Sequence, residues 1–152
     1  AAGAFALRRE NFPQGKRQEA EQTMQIHQSA EDYLETILML TQRMGKVRSI
    51  DVVNELGFTK ASVSIAMKKL RENGYIAVDG EGNLTLLEPG REIAERIYSR
   101  HRLLTHFFMQ LGVDEKTAAE DACKAEHILS EQTLEKIRES ALRIDTEQSQ
   151  EK

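Results

Sequence analysis

The chain has 152 residues, 39% hydrophobic and 30% charged, a globular composition with no run near the roughly 18 apolar residues of a membrane helix. One cysteine, Cys123, excludes an internal disulfide framework and, without a charged-then-apolar leader, points to a reducing cytoplasm. The net charge of −4 argues against a general polyanion binder, yet residues 43–71 carry +5 (seven basic, two acidic) and residues 114–147 carry −5 (five basic, ten acidic). One half suits phosphates and the other cations.

Residues 1–23 are polar and aperiodic and read as a flexible tail, with Met24 a candidate natural start. Ser29 is placed to cap a helix, with Asp32 as a short-armed capping-box partner. Leu34, Ile37, Leu38 and Thr41 then share a face, which predicts a helix over 30–44 ending near Gly45. A short helix follows Ser49, carries Val52, Val53 and Leu56 and closes at Gly57. Thr59 caps a third helix that turns Val63, Ala66, Met67 and Leu70 inward and ends at Asn73-Gly74. The period then changes to two: Ile76 and Val78, a glycine-rich turn over 79–83, then Leu84 and Leu86 predict a β-hairpin. Pro89 opens a long helix bearing Ile93, Ala94 and Ile97, followed by Leu103, Leu104, Phe107, Phe108 and Leu111. Beyond Gly112 two more helices are expected, near 114–129 and 131–142, with a frayed tail over 143–152.

Three helices and a hairpin, with the sharp turn Leu56-Gly57-Phe58-Thr59 between the second and third, follow the order of a winged helix-turn-helix. The expected fold is therefore mainly α: a winged helix-turn-helix DNA-binding domain over 24–88 and a C-terminal helical metal-binding and dimerisation domain over 89–142. In such a fold the third helix enters the major groove, which nominates Thr59, Lys60, Ala61, Ser62, Ser64 and Ile65 for base edges. Lys60, Lys68 and Lys69 would meet phosphates, supported by Arg43, Lys46 and Arg48. The plainer alternative is a three-helix core with a solvated basic face; the turn glycine, the small-residue helix and the hairpin together favour DNA. The wing, with Asp79 and Glu81, is polar and slightly acidic and reads as a brace for the fold more than a grip on phosphate. Reading two half-sites of a palindromic operator requires a two-fold dimer, and Leu103, Leu104, Phe107, Phe108 and Leu111 are the candidate dimerisation stripe, with core packing as the alternative.

A second constellation is Cys123-Lys124-Ala125-Glu126-His127. On a helix, positions i, i+3 and i+4 share a face, so a thiolate, a carboxylate and an imidazole would converge as ligands for a first-row divalent metal. His101 is available as a fourth ligand, and Asp32 and Glu35 as oxygen donors. Each has a structural alternative: Cys123 as a small buried residue, His127 as a half-buried histidine, His101 as a surface residue, and Asp32 and Glu35 as acids favoured by a helix dipole.

Several separated blocks carry a resemblance: Glu31-Asp32-Tyr33-Leu34-Glu35, the helix-turn-helix, Ser99-Arg100-His101-Arg102-Leu103-Leu104, and Asp121-Ala122-Cys123-Lys124-Ala125-Glu126-His127. In order and spacing, from about Ser29 to Ile137, the chain resembles the diphtheria-toxin-repressor family of iron- and manganese-dependent regulators. The resemblance implies a metal centre of Asp32, Glu35, His101, Cys123, Glu126 and His127, in a two-domain, manganese-regulator-like form without the family's optional SH3-like domain. Asp32 and Glu35 look like the manganese branch and Cys123 like the iron branch. Thr105 and Ala119 stand where the iron branch has two ancillary ligands, which leaves a binuclear site sharing Asp32, Glu35 and Glu126 as the other arrangement. Oxygen ligands suit Mn(II) and a thiolate leans toward Fe(II), with Fe(II) slightly ahead. The expected function is a metal-dependent transcriptional repressor controlling metal homeostasis genes, not an enzyme. Its rivals are a winged-helix regulator without metal control, a protein-interaction module, and a metallohydrolase, for which no His-Glu-x-x-His helix or nucleophile elbow is present in the sequence.

Overall fold

The computed structural model describes residues 14–151, with side chains from His27 to Glu151. Six helices and one hairpin follow in order: α1 Gln14–Met44, α2 Ser49–Leu56, α3 Lys60–Glu72, β1 Ile76–Val78, β2 Leu84–Leu86, α4 Glu88–Gln110, α5 Glu115–Ala125 and α6 Glu131–Gln150. The mainly α winged helix-turn-helix architecture is borne out.

Two expectations about the helix ends are corrected. Helix α1 starts at Gln14, not at Ser29, so the capping role given to Ser29 and Asp32 does not exist. The segment over 14–23 is rich in Gln, Lys, Arg, Glu and Ala; these residues have high helix propensity and continue the helix without an apolar face. The remainder of the expected tail, residues 1–13, lies outside the described residues. At the other end α6 runs to Gln150 instead of fraying after 142. Polar contacts hold it there: Gln110 donates to the Ala141 carbonyl (3.1 Å) and to Asp145 (2.8 Å), and His106 Nε2 lies 3.1 Å from Asp145.

The turns follow the local chemistry. Gly57 ends α2 at φ +70°, a left-handed position in which a Cβ would be strained. Thr59 accepts from the Ser62 N–H at 3.1 Å and starts α3. In the hairpin Ile76 faces Leu86 and Val78 faces Leu84, antiparallel. Asp79 closes the wing by accepting from the N–H groups of Glu81 and Asn83, both at 2.9 Å. Arg48 donates to the Glu81 carbonyl, and the Leu84 N–H bonds the Val47 carbonyl at 2.7 Å. The wing is thereby stitched to the entry of α2.

Two apolar cores result. The larger joins Leu34, Ile37, Leu40, Val52, Val63 and Ile76 with Ala94 from the first half of α4. The smaller centres on Leu104, Ala122 and Leu134, where α4, α5 and α6 meet. Helix α4 belongs to both and is the beam between them. Its start fits closely against the hairpin: a Cβ on Gly90 would lie 2.2 Å from the Tyr75 carbonyl oxygen.

Candidate metal centre and nucleic-acid interface

Helix α1 brings Asp32 and Glu35 to the site, α4 brings His101, and the end of α5 brings Glu126 and His127. Two ligand sets form, Asp32–Glu126–His127 and Glu35–His101–Glu126, each with its donor atoms within 4.8 Å of one another. Glu126 belongs to both, and it is fully buried. His101 Nδ1 lies 2.9 Å from Glu126 Oε2, and His127 Nε2 lies 2.7 Å from Asp32 Oδ1 and 3.4 Å from Glu126 Oε1.

Starting α1 at Gln14 also decides between two readings of the acids. Asp32 and Glu35 sit mid-helix, eighteen and twenty-one residues past the start, so the helix dipole does not account for them. Glu35 is 6% exposed. A buried acid with carboxylates for neighbours is costly unless it stays protonated or meets a cation. Burial first, then the charge and hydrogen bond of Glu126 and the charge of Asp32, push Glu35 up to about 8, with His127 opposing. Burial works to lower His127, but the close Asp32 carboxylate, the hydrogen bond accepted by Glu31 and the charge of Glu126 outweigh it and raise the imidazole to about 9.

The donor set fits a divalent cation on a direct observation. Among the described residues, Glu126 Oε1 and His127 Nε2 are buried side-chain atoms without a properly aligned hydrogen bond. Native proteins rarely leave such atoms unsatisfied, and both belong to one ligand set. Although Asp32 Oδ1 is close to His127 Nε2, the two do not align as a hydrogen bond.

Cys123 joins neither set. The residue is exposed overall; even so, partial desolvation, followed by the charges of Glu126, Asp32 and Glu35, pushes its thiol up to about 11. The helical spacing behind the expected convergence holds only in part. Helix α5 stops at Ala125, Glu126 is its C-cap, and His127 follows in a turn.

One residue with a clear role was not singled out from the sequence. Glu31 Oε2 lies 2.8 Å from His127 Nδ1, while Glu31 Oε1 lies 3.7 Å from the Arg96 guanidinium. A carboxylate on one imidazole nitrogen fixes the ring and leaves the other nitrogen for a metal. Arg100 similarly donates to the Glu126 carbonyl at 3.2 Å and pairs with Glu131. Glu31 opens the block Glu31-Asp32-Tyr33-Leu34-Glu35, but no local pattern pairs it with a histidine 96 positions away.

On the other face, Thr59, Lys60, Ala61, Ser62, Ser64, Ile65, Lys68 and Lys69 are all exposed along α3, with Val63, Met67 and Leu70 turned into the core. Ile65, 59% exposed, is an apolar side chain of the kind that meets a thymine methyl. Of the suggested phosphate supporters, Arg43 pairs with Glu55 at 2.6 Å and Arg48 is committed to the wing. In the apolar stripe of α4, Leu104 is fully buried in the chain's own core and Leu103 and Phe108 pack against it. Phe107 is half-buried and Leu111 is 63% exposed. No helix of the described residues is long and apolar enough to cross a membrane.

Comparison with known proteins agrees with this layout. Residues 25–84 match the iron dependent repressor N-terminal DNA binding domain, and residues 87–150 match the iron dependent repressor metal binding and dimerisation domain. An uncharacterised HTH-type transcriptional regulator of Methanocaldococcus jannaschii is 37% identical over 115 residues, covering 74% of this chain and 92% of its own length. The HTH-type transcriptional regulator MntR of Bacillus subtilis is 34% identical over 109 residues, covering 72% of this chain and 77% of its own. Among solved structures, a manganese-dependent transcriptional repressor in complex with manganese superposes with a TM-score of 0.68 at 28% identity, over 74% of this chain and 52% of that one. The manganese regulator SloR gives 0.64 at 27% identity, over 72% and 52%. The chain thus spans about half the length of these solved structures. The matched domains follow one another over most of the chain with the helix-turn-helix and the acid–histidine cluster inside them, and the protein belongs to the iron-dependent repressor family.

Proposed function

We propose that this protein is a metal-activated, DNA-binding transcriptional repressor of metal homeostasis genes, acting in the cytoplasm as a homodimer on a palindromic operator and without enzymatic activity. Family membership and the relatives named MntR support this reading. The observation that carries it is Glu126, a fully buried carboxylate shared by two ligand sets with one oxygen unsatisfied.

In this reading Asp32, Glu35, His101, Glu126 and His127 would hold Fe(II) or Mn(II), and Cys123, outside both ligand sets, would have to turn inward to serve as a sixth donor. The ion supplies positive charge where three carboxylates meet. Glu31 keeps His127 oriented, and the ligands give up protons as they coordinate. Asp32 and Glu35 belong to α1, whose Leu34 and Ile37 anchor the DNA-binding core, while His101, Glu126 and His127 belong to the helical half. Fixing the two halves selects the arrangement in which α3 of each protomer is correctly spaced for two half-sites. Lys60, Lys68 and Lys69 supply phosphate contacts, and Thr59, Ala61, Ser62, Ser64 and Ile65 face base edges. Phe107, Phe108, Leu103 and Leu111 contribute to the dimer interface, while Leu104 supports them from the core.

The test is anaerobic calorimetric titration of the metal-free protein with Mn(II) and Fe(II), paired with fluorescence anisotropy on a duplex enriched from a random-sequence pool. Micromolar or tighter metal binding, lost in Glu126→Gln and accompanied by metal-dependent duplex binding, is expected. Duplex binding indifferent to metal and to Glu126→Gln would leave a winged-helix regulator without metal control.

A further inference from the structure

A groove of about 590 Å³ whose lining contains none of the metal ligands lies between α1, α3 and the first half of α4. Its volume is that of small-molecule sites. The floor is apolar, formed by Tyr33, Leu34, Ala66, Leu70 and Ile93. Two cations, Lys69 and Arg96, line it, and among the described residues Glu31 is the only acid that does. That one acid is shared between two cationic groups, with one oxygen 2.8 Å from His127 Nδ1 and the other paired with Arg96 at 3.7 Å. Lys69 is exposed, and Glu72, one turn on, pairs with Lys68 at 3.9 Å. Among the described residues the groove therefore combines an apolar floor with an excess of positive charge, two cations against one shared acid. An inorganic anion would leave the apolar floor unmatched, and a neutral apolar molecule would leave the cations unmatched.

We propose that this groove binds a small amphipathic organic anion, an aliphatic or aromatic body bearing one carboxylate, and that its occupancy opposes DNA binding. The carboxylate sits at Lys69 and Arg96 and the body lies on Leu34, Ala66 and Ile93. Ser62, Ile65 and Lys69 line the groove and also belong to the exposed face of α3. An occupant covers part of the surface that would meet the operator and neutralises a lysine that would meet phosphate. The antagonism rests on the repressor reading above; the binding itself does not.

The probe is decanoate, with decanol as its uncharged counterpart, titrated calorimetrically into the full chain, both metal-free and equilibrated with Mn(II). Decanoate should bind at least about tenfold more tightly than decanol, and Arg96→Gln should weaken decanoate by about tenfold while leaving decanol unchanged, the scale of one charged hydrogen bond. Ala66→Phe, which fills the floor, should weaken both. Equal binding of the two probes, insensitivity to Arg96→Gln, or no decanoate binding up to 1 mM overturns the site. Saturating decanoate should weaken binding of the Mn(II)-equilibrated protein to its pool-enriched duplex several-fold; unchanged duplex affinity with decanoate bound overturns the antagonism. If no duplex is bound at all, the repressor reading fails while the decanoate titrations still decide the site.

Discussion

At the residue scale, Asp32, Glu35, Glu126 and His127 crowd three carboxylates and an imidazole into one largely buried cluster, a donor set that suits a divalent cation. Glu31 extends this to the ring's second nitrogen. Glu31→Ala should weaken Mn(II) binding by roughly 10–100-fold, whereas Glu31→Gln, whose amide oxygen still accepts from Nδ1, should retain most of the affinity; calorimetric titration of both variants checks the pair. The shifted groups also set a pH dependence. In the folded, metal-free protein Glu35 holds its proton up to about 8 against an ordinary 4.5, and His127 up to about 9 against 6.5. Both bind protons more tightly when folded, so their stabilising contribution is complete below 4.5 and 6.5 and is lost as pH rises through about 8 and 9. Urea denaturation of the metal-free protein between pH 5 and 9.5 should show stability falling across that window, and Glu126→Gln should flatten the Glu35 part of the fall. Metal uptake at pH 7 should release protons, measurable as a buffer-dependent heat.

Among the elements, α4 does most to position the site, because its first half packs in one core and its second half in the other. Its entry depends on Gly90, where a side chain would run into the Tyr75 carbonyl at 2.2 Å. Backbone cannot swing aside as a side-chain tip can, so Gly90→Ala should cost about 1–3 kcal/mol and lower the denaturation midpoint. The ends of α1 and α6 show why element boundaries were the weakest part of the sequence reading. Residues 14–23 have helix propensity without an apolar stripe, so periodicity gave no signal there. Residues 143–150 stay helical beside polar contacts from Gln110 and His106, partners 35 and 39 positions away.

On the scale of the whole molecule, the candidate centre bridges a DNA-binding unit and a helical unit that otherwise meet chiefly along α1 and α4. Ligand that binds only the folded state stabilises it by mass action, about 2.7 kcal/mol at a hundredfold excess over Kd. Mn(II) at that excess should raise the denaturation midpoint of the wild type and leave Glu126→Gln unmoved. Hydrogen exchange should locate the added protection in α1 around Glu35 and at the end of α5, since in the proposed centre both segments would supply ligands to one ion. Protection confined to α5 would mean that the halves are not linked through the site.

The sequence by itself determined the order of elements, the winged helix-turn-helix and the chemistry of the candidate ligands. Those depend on local information: apolar periods of 3.6 and 2, glycines at Gly57 and Gly74, the cap at Thr59, and donor types that suit a divalent metal. Only the tertiary structure decided which donors meet. It placed Glu126 in both ligand sets, left Cys123 outside them, gave His127 its partner in Glu31, and drew Leu104 into the core. These outcomes depend on where α5 stops and how α1 lies against α4. Such geometry is set by packing between residues far apart in the chain, which no local pattern records.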